Sequence, residues 1–217
     1  MTTKIVCYCS VMIVFASHNS LAQSIPPLNE LVKRIEMVSL PNKPYTVSVS
    51  QAIEYSRRVK TQSVSPKAVS GVSTFGYIYD PKAGLRVGVN SNPKRASKTL
   101  QSTSNMQQPT LKVAVDLAKL FRNYSDWQNV RIISTYLNSD HCYEITAQDK
   151  SFSYVIWVDA TRYYVPEVVL NIKGKRFAEI DITNRNVSGV YWLPSQIVLN
   201  NAIDGSKVTL NMGQYIF

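Results

Sequence analysis

From Trp127 to Phe217 the chain alternates short β-branched and aromatic runs with turn residues, and this rhythm limits the fold more than any other feature. Strands are predicted over Asn129–Leu137, His141–Gln148, Ser151–Ala160, Glu167–Ile172, Arg176–Thr183 and Val190–Leu199. Turns are predicted at Asn138-Ser139-Asp140, at Lys173-Gly174-Lys175 and around Asn184–Gly189. Asp204-Gly205 then closes a last hairpin that ends at Phe217. Runs rich in Val, Ile, Tyr and Trp favour the pleated, half-buried surface of a sheet. Connections this short join antiparallel neighbours, which excludes βαβ units and points to a meander.

The first half adds strands and two helices. Leu28, Leu31, Val32, Ile35 and Val38 recur at helical spacing between Pro27 and Pro41, so an amphipathic helix is expected over 28–38. Val47 and Val49 alternate with serines, whereas Gln51–Lys60 reads as helix or strand; strand is preferred because a hairpin follows. Its arms place Phe75, Tyr77 and Tyr79 on one face and return through Leu85, Val87 and Val89 after a turn at Asp80-Pro81-Lys82-Ala83-Gly84. Ser91–Gln108 is polar and reads as a connection. A second helix is expected over Pro109–Tyr124, with Leu111, Ala114, Leu117, Ala118 and Phe121 on one side.

About ten strands in one sheet twist strongly, and open sheets of that size curl or split. The expected fold is therefore mainly β: a large curled antiparallel sheet, an incomplete half-open barrel, with the two helices as cover.

Met1–Ala22 has one basic residue, Lys4, an apolar run from Ile5 to Ala16, and small residues at Ser20 and Ala22. This is the pattern of a secretory signal peptide cleaved after Ala22, leaving residues 23–217 as a single domain with no membrane-spanning segment. Cys7 and Cys9 leave with it, so Cys142 stays without an internal disulfide partner. Removing Lys4 leaves 23 basic against 14 acidic residues, a formal +9. In an exported chain this favours anionic lipid surfaces or acidic partners over nucleic acid, or it serves solubility.

Chemistry-bearing motifs are few. Asp140-His141-Cys142 gathers three reactive types, but consecutive strand residues face opposite ways and do not converge on one atom. One His and one Cys are a thin supply for zinc, so neither a metal nor a cofactor is expected. Asp159 and Asp181 read as strand-end carboxylates that are solvated or bind turns. A hydrolase would need a polar cleft in which Asp159, Asp181 or His141 converge with other acids. No Gly-rich phosphate loop, nucleophile elbow or His-Glu-x-x-His pattern is present, and the chain reads as a binder rather than an enzyme.

Two phrases carry a family resemblance: Tyr154-Val-Ile-Trp-Val-Asp159 and, later, Gly189-Val-Tyr-Trp-Leu-Pro194 before a final strand pair. In this order they resemble the C-terminal half of the LolA-like family of periplasmic lipoprotein carriers. The hairpin Tyr79-Asp80-Pro81 with Leu85-Arg86 also resembles that family, and the likeness runs from Leu28 to Phe217. Asp80 departs from it, because carriers of the best-known type have a basic residue before that proline to hold the lid.

The resemblance implies a periplasmic, monomeric protein that holds a lipid or an acylated lipoprotein in an apolar cavity and meets inner- or outer-membrane transport partners. Phe75, Tyr77, Leu85, Val87, Leu117, Phe121, Trp127, Trp157 and Trp192 are the expected cavity lining. Two other roles are implied for the same fold: lipid transport, and a regulator that senses mislocalised lipoproteins. Outside the resemblance, a filled β-scaffold that docks another envelope protein is the alternative.

Overall fold

A computed structural model of the protein describes residues 24–55, 73–82, 84–88, 117–150, 152–203 and 205–217. The expected leader over 1–22, residues 56–60 of the first predicted strand, the polar stretch 91–108 and the start of the second helix lie outside the described residues.

Helix α1 spans Leu28–Ser39. Pro27 suits its start, because the ring fixes φ and the missing N–H would have no helical partner there. Its last bond runs from the Leu40 N–H to the Glu36 carbonyl, and Pro41 prevents continuation. Leu31, Val32 and Ile35 are its buried stripe. Helix α2 spans Leu117–Arg122 and is followed by a 3-10 turn over Tyr124–Asp126.

Among the described residues, ten strands form one antiparallel sheet. They are β1 Tyr45–Tyr55, β2 Ser73–Asp80, β3 Gly84–Gly88, β4 Gln128–Leu137 and β5 Asp140–Gln148. Then follow β6 Ser153–Asp159, β7 Glu167–Ile172, β8 Lys175–Val187, β9 Tyr191–Asn201 and β10 Ser206–Ile216. The spatial order is β3-β2-β1-β10-β9-β8-β7-β6-β5-β4, so β3 and β4 are the edges and the sheet is not closed. Among the described strands the order departs from a simple meander at the β1–β10 pairing, which leaves the consecutive strands β3 and β4 at opposite edges. The ambiguous stretch after Val49 is strand, as far as Tyr55.

Register shifts interrupt four ladders: β1–β10 at Val47/Val49, β4–β5 at Gln128/Arg131, β7–β8 at Leu170/Asn171 and β8–β9 at Thr183/Asn184. Each extra residue bends its strand and tightens the twist, which supplies the curl. One face carries the core. Tyr154, Ile156 and Val158 of β6 stand beside Leu170 and Val168 of β7, then Ala178 and Ile180 of β8, then Leu199 and Val208. Val47 and Val49 extend it to Tyr77 of β2. Leu31, Val32 and Ile35 of α1 and Leu120 and Phe121 of α2 join this core and cover the face.

Candidate functional site

The covered face is an aliphatic field with aromatic groups at both ends. Toward the β4 edge, Phe121 packs on Trp127 with ring centroids 5.9 Å apart, and Trp127 stacks on Tyr154 at 5.8 Å. Phe152 continues the row at 6.1 Å from Tyr154 and 6.0 Å from Phe177. At the other end Tyr45 stacks on Tyr79 at 4.8 Å, meets Tyr215 edge-on at 5.2 Å and approaches Phe217 at 5.7 Å. Between them lie Val49, Ile180, Ile197 and Leu210, all 1% exposed or less.

Burial raises the hydroxyl pKa of Tyr77 to about 12, and burial, then Asp149, raises that of Tyr154. These hydroxyls stay neutral near pH 7, so they leave the face without charge. Arg185 is half-buried at the Tyr45 end, its guanidinium 5.4 Å from the Tyr215 ring and donating to the Gly213 carbonyl. This pairing satisfies one cation where solvent is scarce.

At the N-terminal end of α1 a pocket of about 230 Å³ opens between Pro26, Pro27, Glu30, Arg34, Tyr143 and Tyr163. Arg34 donates to Glu30 and to the Tyr163 hydroxyl, and its guanidinium lies 4.9 Å over the Tyr163 ring. The helix is thereby strapped to the loop after β6. Asp159 shapes that loop: its buried carboxylate accepts the backbone N–H groups of Thr161 and Arg162, and its carbonyl accepts that of Tyr163. Tyr163 takes a left-handed φ of 60° within it.

Of the predicted lining residues, Tyr77, Phe121 and Trp127 lie buried on the covered face. Phe75, Leu85 and Val87 share its side of the sheet by register, through Val49↔Phe75, Tyr77↔Val87 and Tyr79↔Leu85. Their side chains and that of Leu117 lie outside the described residues. Trp157 and Trp192 stand apart from this buried group. Trp157 pairs with Glu144 and Glu167 on the opposite, outer face, because it alternates with the buried Ile156 and Val158. Trp192 alternates with buried Leu193, packs 5.3 Å from Tyr164 and carries Arg162 over its ring at 5.1 Å.

Asp159 binds a turn, as expected. Asp181 does not end a strand: it lies inside β8, half-buried on the outer face directly opposite Glu167, and accepts from Asn200 at 3.3 Å. Burial, and then neighbouring carboxylates, raise the pKa of both acids. Sequence reasoning missed this pair, whose signal was two acids placed by strand register rather than by spacing.

His141 faces away from Asp140 and Cys142, as strand alternation predicts. His141 Nε2 lies 2.6 Å from Ser134 Oγ, while Cys142 is fully buried opposite Thr135 and Asp159. Burial pushes the Cys142 thiol up, away from the nucleophilic thiolate. Among the described residues no three His, Cys, Asp or Glu gather as metal ligands, and no helix is long and apolar enough to cross a membrane.

No protein-family model and no curated protein sequence matches the chain. Solved structures do. A LolA superfamily protein from Nitrosomonas europaea aligns with TM-score 0.56 at 11% identity, over 88% of this chain and 93% of its own. A putative outer membrane lipoprotein-sorting protein domain from Vibrio parahaemolyticus gives 0.51 at 11%, over 87% and 91%. A DUF1329 family protein from Desulfovibrio piger gives 0.53 at 12%, over 88% and 91%. Agreement over nearly the whole of each chain at such low identity is agreement of architecture, and the chain has the LolA-like fold.

Proposed function

We propose that the protein is an exported, non-enzymatic binder that holds a lipid, or the acyl chains of a lipoprotein, against the covered face and carries it between membranes of a Gram-negative-type envelope. The leader over 1–22 delivers it to the periplasm, where residues 23–217 work as a monomer. The observation that carries this reading is an open LolA-like sheet whose apolar face is closed by an amphipathic helix. Such a cover is exchangeable. Exposing Leu31, Val32 and Ile35 costs about 1.5–3 kcal/mol each, and an acyl chain returns about 0.8 kcal/mol per buried methylene. About ten methylenes therefore offset the helix stripe, and a fatty acyl chain has more.

The packing of α1 and α2 on the sheet favours a second reading, a filled scaffold that acts by docking another envelope protein. Native mass spectrometry of the protein purified from periplasm without detergent separates the two. Phospholipid or acylated peptide at near one per chain is the expected result. An apo mass unchanged after incubation with vesicles and lipoprotein would remove the carrier reading.

A further inference from the structure

We propose that the corner formed by the end of β10, the β8–β9 turn and the β2–β3 turn is a docking surface for an anionic phospholipid bilayer. The inference rests on the lipid reading above and assigns the end of the molecule that meets a membrane. Of nine large apolar side chains that stand exposed among the described residues, Ile78, Val190, Ile216 and Phe217 gather here. Register puts Ile78 and Ile216 on either side of Thr46 on the outer face. Phe217 stacks on Tyr191 at 5.8 Å, and Val190 immediately precedes Tyr191 at the tip of the turn. Val190 is 60% exposed and Ile216 63%.

These side chains protrude from turns and a strand end rather than lining a groove. A protein partner would need a matching concavity for each, whereas a fluid bilayer interface takes separate apolar tips without one. Behind them stands the cluster of Tyr45, Tyr79, Tyr191 and Tyr215, and rings with an apolar body and a polar hydroxyl suit the depth of lipid headgroups. The flanking charges complement anionic headgroups. Lys43 and Lys82 are exposed, Arg122 reaches the same turn by donating to the Pro81 carbonyl, and the Asp80 carboxylate accepts the Lys82 backbone N–H.

The β9–β10 turn at the opposite end provides an internal control. Ile203 there is as exposed as Val190, and the eleven residues of β9 separate the two turns by roughly 35 Å. Val190→Cys and Ile203→Cys chains, each labelled with a polarity-sensitive fluorophore, are mixed with phosphatidylglycerol–phosphatidylcholine vesicles; buried Cys142 stays unlabelled. The label at 190 is expected to shift to the blue and the label at 203 to stay unchanged. In vesicle flotation Lys43→Ser and Lys82→Ser each weaken binding about fivefold, and Val190→Ser weakens it roughly tenfold.

Equal shifts at both positions, no flotation, or dimerisation abolished by Phe217→Asp without flotation each overturn the proposal. Flotation needs no cargo, so a chain that floats as predicted but carries no lipid in the mass spectrum keeps this surface and loses the carrier reading.

Discussion

Gly213 lies where β10 passes the irregular pairing with β1, and a methyl group there would stand 2.1 Å from Ser48 Oγ and 3.2 Å from the Ser48 carbonyl oxygen. Gly213→Ala is expected to cost about 1–3 kcal/mol by overpacking, and adding Ser48→Gly to recover most of it; urea midpoints of the two variants check the coupling. Across the sheet, Glu167 and Asp181 face each other with raised pKa values, caused first by burial. The fold therefore binds their protons more tightly than the unfolded chain does. The stability this supplies is complete below the unfolded carboxylate values near 4, and it is lost as pH rises through the raised folded values. Glu167→Gln should stabilise the protein by about 0.2–1 kcal/mol at pH 7 and by nothing at pH 3, measured as urea midpoints at both. An equal gain at both pH values would mean that packing, not charge, is responsible. At this scale the sequence was least legible. Tyr154–Val158 is apolar or aromatic at every position, so alternation marks no inner face and Trp157 could not be assigned to the outer one. Asp181 looked terminal because the polar run after it reads as a turn.

That polar run belongs to an element. Asn184, Arg185 and Asn186 were expected to reverse the chain, yet β8 continues to Val187 and the reversal falls at Ser188-Gly189, both at positive φ. The strand persists because its polar groups are used: the Asn184 amide donates to the carbonyls of Val165 and Ile182, and Arg185 reaches Gly213. Composition cannot reveal partners supplied by distant strands. Where apolar spacing was unambiguous, the element was legible: α1 begins at Leu28 as predicted and ends one residue beyond the expected Val38. Its hold on the sheet is a short stripe plus the Arg34–Tyr163 strap, so it should open before the strands do. Ile35→Ala removes part of that stripe at a cost of about 2–4 kcal/mol. Amide exchange should then speed across residues 28–39 and remain slow in β8 and β9. Acceleration spread evenly over the chain would instead make the helix part of one cooperative unit with the sheet.

At the scale of the whole molecule, turns and alternation were enough to read a single antiparallel sheet under two helices, and the LolA-like architecture follows that plan. The place of β10 was not legible, since nothing in a strand's own residues states which distant strand it will meet. That place decides how the protein comes into being. Among the described residues, strands β1 to β3 reach the rest of the sheet through β10. Strands β1, β2 and β3 pair with one another, but among the described residues they join β4 to β9 only once β10 is in place. The seam joins residues 46–55 to residues 206–216, so closing it is a strongly non-local step and the one expected to set the folding rate.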